Sequence, residues 1–193
     1  GSDVRSIGRI IGAGGLAVES VHDSETYRVA ASLSGTLNNL WGWDIGLQHS
    51  ENDFFVSAPD VLVDRFNNAI RGFGGEGCDP ATGTRGVGPC AYFNPFGSAL
   101  TGTGTPNTPA LLNDLVGFES FDAHSELTSL EGYVTRELGE LGGGFAGIAV
   151  GAQYRGDELS YDYDENANRD NFLFLVGNPD FSDDRDVEAV FVE

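Results

Sequence analysis

The sequence predicts an all-β chain: an antiparallel meander of long hairpins from a transmembrane β-barrel, with long loops carrying short helices. Three observations predict it. Apolar and polar residues alternate with a period of two over several long segments. Those segments are joined alternately by very short turns and very long loops, an asymmetry found in outer-membrane barrels. The composition holds 28 glycines, no lysine and only 21% charged residues, which suits strands and long loops better than helices.

The elements follow in chain order. Gly1-Ser2 reads as a tag remnant, so the partial barrel domain is expected over 3–193. Strands are expected at about 25–50, 123–161 and 186–193. In ETYRVAASLSGTL, Tyr27, Val29, Ala31, Leu33, Gly35 and Leu37 share one face. Arg28, Ser32, Ser34 and Thr36 share the other. Asn38-Asn39 supplies a short turn. WGWDIGLQH then places Trp41, Trp43, Ile45 and Leu47 opposite Gly42, Asp44, Gly46 and Gln48.

A long loop is expected at about 51–122. Within it, DVLVDRFNNAIRGF has helical spacing, and PALLNDLVGF offers a second short helix with proline in its first turn. TGTGTPNTP has the composition of a loop. Alternation returns in ELTSLEGYVTREL and, after a tight turn at Gly139–Gly144, in FAGIAVGAQYRGDELSYDYD. A second loop is expected at about 162–185, followed by the strand DVEAVFVE.

A tilted strand crosses a bilayer in about 9–11 residues, and these segments are at least that long. Trp41, Trp43, Ile45 and Leu47 would then meet lipid, and Asp44 and Gln48 a wet interior. The same alternation also fits a half-buried strand of a soluble sandwich. The pattern by itself leaves both open.

Charge narrows the partners. Thirty acidic residues against ten basic ones give a net charge of −20. That argues against nucleic acid, because binding phosphate requires positive charge. It also argues against basic docking on an anionic lipid surface. No methionine occurs, so the chain is expected to be an internal segment of a longer protein.

Catalytic and metal patterns are absent. His22, His49 and His124 lack metal-ligand spacing, and neither G-x-S-x-G nor H-E-x-x-H occurs. The clusters GAGG, GGEG and GVG lack the context of a phosphate cradle. DYDENANRD places Asp162, Asp164 and Asn166 like the first ligands of a calcium loop. It fails at Ala167, where glycine is needed, and at Leu173, where a bidentate glutamate is needed. No enzyme activity, cofactor or metal is expected.

Cys78 and Cys90 flank a glycine-rich stretch, and a local disulfide is the first reading. It would restrain the loop by roughly 2–3 kcal/mol. Tyr92, Phe93, Asn94 and Phe96 follow directly and are the candidate ligand-binding residues.

Several stretches, in order, carry a family resemblance. They are SETYRVAASLSGTL with WGWDIGLQHSEN, the loop GCDP…GPCAYFNPFG, LEGYVTREL…GGGFAGIAVGAQYRGDEL, and DVEAVFVE. Taken together the chain resembles an internal piece of a TonB-dependent outer-membrane receptor. The resemblance implies active uptake of a scarce nutrient: a siderophore, a vitamin or an oligosaccharide. It implies the outer membrane of a Gram-negative bacterium, with outer-membrane lipid and a small-molecule or oligosaccharide ligand as partners. The TonB complex would be engaged through parts not in this chain. The family's plug domain, TonB-box segment and aromatic terminal strand are not among these residues. The piece would supply about six of roughly 22 strands. The rival readings are a soluble secreted β-sandwich acting as a binding or adhesin module and, further off, a secreted carbohydrate-active enzyme.

Overall fold

A computed structural model describes residues 10, 19–97 and 104–193 of the chain. It is an all-β structure. Five strands, β1 (Val21–Leu37), β2 (Trp41–Val61), β3 (Val116–Leu141), β4 (Gly144–Tyr163) and β5 (Phe181–Val192), form one sheet in the order β1-β2-β3-β4-β5. This is an antiparallel meander, and it is not closed. Three short helices, α1 (Val63–Ile70), α2 (Pro109–Asp114) and α3 (Glu165–Asn168), lie in the long connections.

Local chemistry explains the turns. Asn38 and Asn39 both take positive φ, 53° and 55°, which asparagine tolerates better than most side chains. Leu40 N–H donates to the Leu37 carbonyl at 3.2 Å and closes that turn. The next hairpin turns at 142–143, tighter than the expected Gly139–Gly144.

The chain divides into two compact units. The sheet unit comprises Asp23–Phe55, Asp122–Asp162 and Asp180–Glu193. The loop unit is built from the described residues of Gly1–His22 together with Val56–Phe121 and Tyr163–Pro179. Its core is small: Val61, Ala69, Leu111 and Leu115 are buried, with Phe66, Ala91, Phe93 and Ile10 packed around them. A second cluster joins Leu62, Ala167 and Phe172.

Helix α1 buries Ala69 and turns Phe66 to the same cluster. Its N-cap, Leu62, offers no side-chain acceptor. Asn171 supplies one from a distant segment, its Oδ1 accepting from Asp64 N–H at 3.1 Å. Helix α2 starts with Pro109, and Thr108 Oγ1 accepts from Leu111 N–H at 3.2 Å.

Asp60 ties the loop unit together. It is 2% exposed, and its Oδ2 accepts from Phe174 N–H at 2.8 Å and Leu175 N–H at 2.7 Å. Its Oδ1 accepts from Val61 N–H at 2.6 Å. Three backbone donors compensate the burial of that carboxylate.

The strands depart from expectation in extent. β2 runs to Val61 rather than about 50, and β3 begins at Val116 rather than about 123. The long loop is therefore 62–115. β5 starts at Phe181 instead of about 186, and the second loop shortens to 164–180. Past Leu47 the apolar face of β2 carries His49, Glu51 and Asp53, and the added part of β5 carries Ser182 and Asp184 on that face, so the alternation fades there while the pairing continues. Among the described residues the strands number five, against the expected six or so. The GAGG cluster, residues 101–103 of the threonine-glycine run and Gly1-Ser2 lie outside the described residues.

Candidate functional site

In the loop unit, a cleft of about 640 Å³ opens between α1, α2 and the start of the disulfide loop. Its lining includes Arg65 and Asn68 of α1, Phe73, Gly75, Glu76 and Cys78 of the following loop, and Ala110, Asn113 and Asp114 of α2. Asp114 holds the three walls in register. Its Oδ2 accepts from Gly75 N–H at 2.9 Å. Its Oδ1 lies 3.6 Å from Arg65 Nη1, which also donates to the Asp114 carbonyl at 2.7 Å. Gly75 sits at φ 114°, and a Cβ there would stand 2.7 Å from the Pro89 carbonyl oxygen, so glycine is needed. Arg85 lies over the Phe73 ring, 5.4 Å from its centroid.

The Cys78–Cys90 disulfide is formed, with a Cα–Cα distance of 4.9 Å. Behind it, Gly74 and Ala91 form an isolated antiparallel bridge. The four aromatic-loop candidates have separate fates. Phe93 turns inward and meets Phe66 edge-to-face at 5.2 Å. Asn94 staples its own loop: its side chain donates to the Thr105 carbonyl at 2.8 Å and accepts from Phe96 N–H at 3.0 Å. Tyr92 is exposed but lies flat against Gly72 and Gly86, where a Cβ would collide with its ring. Phe96 is the most open, at 65%. None of the four lines the cleft. Sequence reasoning missed the cleft because Arg65, Glu76 and Asn113 are far apart in the chain. The loop's fold brings them together.

The sheet unit presents two unlike faces. On the first, Trp43 lies over Gly35, the Arg136 guanidinium lies over Trp41 at 5.2 Å, and Ile45 borders Gly132. Leu33, Leu37, Leu47, Leu130, Val134 and Leu138 stand exposed on this face. β4 and β5 continue it, with Val150 opposite Val192 and Ala152 opposite Val190. Further along the strands the same face becomes charged within one or two residues. His49 Nδ1 meets Thr128 Oγ1 at 2.9 Å, and His49 Nε2 meets Glu51 Oε1 at 2.9 Å. His124 Nδ1 meets Asp53 Oδ1 at 2.7 Å. Tyr154 stands at the boundary and donates its hydroxyl to Asp186 at 2.7 Å. Beyond it come Glu158 and Asp184, paired across β4 and β5.

The second face is mixed: Tyr133, Gly151 and Phe191 meet on it and Val187 stands opposite Arg155, while its other residues are small or polar. Arg28 donates to Gln48 at 2.7 Å, and Gly42 and Gly46 make room for Thr135 and Glu131. Asp157 accepts from both Arg155 and Arg185.

Carboxylates set the loop unit's electrostatics. Burial, with Asp164 and Asp60 nearby, pushes the Glu119 carboxyl above its ordinary range. Asp79 is held below its ordinary range by Ala81 N–H and the Thr82 hydroxyl. In the calcium-like stretch, Asp164 caps α3 instead. Its Oδ1 accepts from Asn166 N–H at 2.8 Å and its Oδ2 from Ser120 N–H at 2.8 Å. Among the described residues no group of three or more acidic, histidine or cysteine side chains is arranged to hold a metal ion. No helix among them is long and apolar enough to cross a membrane, which says nothing of strands. Comparison with protein-family models, with curated proteins and with solved structures returns no match.

Proposed function

We propose that this chain forms part of the wall and surface loops of a TonB-dependent outer-membrane receptor, which takes up a scarce nutrient such as a siderophore, a vitamin or an oligosaccharide. The observation that carries the reading is the exposed apolar band on one sheet face, ending abruptly in a line of carboxylates and histidines. In water that band is a large uncompensated apolar patch. Against acyl chains it is matched. Two tryptophans near the turn and Tyr154 at the opposite border suit the two interfacial girdles of a barrel. A depression of about 650 Å³ on the band is lined by Ile45, Leu130, Ala152, Tyr154 and Val190, with Glu188 opposite Tyr154 at its polar side. The Arg28–Gln48 pair and the Asp157 ion pairs of the second face suit a wet lumen. The loop unit would then recognise the nutrient at the cell surface. Energy would arrive from the TonB complex through other parts of the receptor.

Arginine at the centre of the band tests this. The full chain, refolded with phosphatidylcholine vesicles, is expected to float with them in a density gradient. Val134→Arg should cut the floating fraction sharply, at a cost of about 2–4 kcal/mol. Thr128→Arg, just past the band, should float like the wild type. Equal flotation of all three proteins, or none by the wild type, would contradict the reading.

A further inference from the structure

We propose that the cleft between α1, α2 and the disulfide loop is a binding site for a neutral polyhydroxylated molecule, a sugar of one or two rings. The proposal rests on reading the loop unit as the recognising part of an uptake receptor, and it names the ligand class and the place. At about 640 Å³ the cleft falls in the size range of small-molecule sites. Its polar groups are mixed in kind. Asn68 brings donors and an acceptor, Glu76 brings acceptors, and Arg65 has N–H groups beyond the one given to Asp114. Asn68 and Glu76 line the cleft and make no side-chain hydrogen bond to another described residue, so a ligand there would meet both without displacing a protein partner. Adjacent hydroxyls, each both donor and acceptor, are the chemistry that uses such a set in full.

Other ligand classes fit less well. An anion would find Arg65 already neutralised by Asp114 and would meet Glu76. An apolar molecule would strip water from Asn68 and Glu76 without replacing their hydrogen bonds. A bare metal ion lacks a ligand cluster among the described residues. Phe73 adds apolar surface to the lining, with one face of its ring under Arg85. The walls are fixed in advance by the Asp114 bonds and the Cys78–Cys90 link, which lowers the entropy lost on binding.

Equilibrium dialysis of the full chain in phosphatidylcholine vesicles, with labelled maltose, cellobiose and sucrose beside ferric citrate, tests the assignment. At least one disaccharide should be retained. The double variant Asn68→Ala/Glu76→Ala should weaken that retention tenfold or more. Neither side chain supports the fold through a hydrogen bond, so an unchanged far-ultraviolet dichroism spectrum is expected. Retention of no disaccharide, retention of ferric citrate alone, or wild-type retention by the double variant would overturn the site. The membrane reading is separated by tryptophan quenching from brominated lipid in the same vesicles. Quenching without sugar retention removes the cleft assignment alone. Sugar retention without quenching keeps the cleft and removes the uptake reading.

Discussion

Two carboxylates show how single residues set the loop unit's stability. Asp60 is buried and accepts from three backbone N–H groups. Asp60→Ala would leave the Phe174 and Leu175 amides without an acceptor. Losing them should cost about 2–3 kcal/mol and speed hydrogen exchange at those amides roughly a hundredfold. Unchanged exchange would mean that Asp60 does not hold the segment. Glu119 acts in the opposite direction. Its folded pKa is raised above the ordinary 4.5, so the folded unit binds its proton more tightly than the unfolded chain does. Stability is therefore lost as pH rises from the unfolded value through the folded one, and the full penalty stands at neutral pH. Glu119→Gln should raise the melting temperature at pH 7, with the gain vanishing below about pH 4. A gain that persisted in acid would point to packing rather than charge. At this scale the sequence revealed little. The Cys78–Cys90 pair was legible from spacing and setting. Asp60 was not, because nothing in SAPDV marks that carboxylate as buried among amides from a segment over a hundred residues away.

Elements were legible where one physical signal dominated. The Asn38-Asn39 turn follows from the tolerance of asparagine for positive φ. Both longer helices were visible, α1 from its apolar spacing and α2 from Pro109 at its start. α3 was not, since four residues capped by Asp164 look like an acidic loop. Strand ends were misjudged for a reason that supports the proposed setting. Period-two alternation marks a strand only where its two faces meet different media. From Glu51 and before Asp122 both faces are polar or mixed, yet the backbone pairing runs on. β3 reaches 26 residues, far more than the 9–11 or so that a tilted strand needs to cross a bilayer. The surplus length is where carboxylates and histidines replace aliphatics.

At the scale of the whole chain, a charge of −20 coexists with an exposed apolar sheet face. The two are compatible when they meet different surroundings: water for the acidic loops and strand extensions, acyl chains for the band. The sheet is open, with β1 and β5 at its edges, and free edges favour pairing with further strands. The chain's only two tryptophans, Trp41 and Trp43, both sit on the apolar face beside the first turn. Tryptophan fluorescence therefore reports on that face alone. The full chain should be inserted into vesicles whose acyl chains carry bromine either near the head groups or near the chain ends. Strong quenching is predicted, greater with bromine near the head groups than at the bilayer centre. Fluorescence indifferent to bromine at either depth, from a chain that stays folded and monomeric in water, would contradict a lipid-facing band.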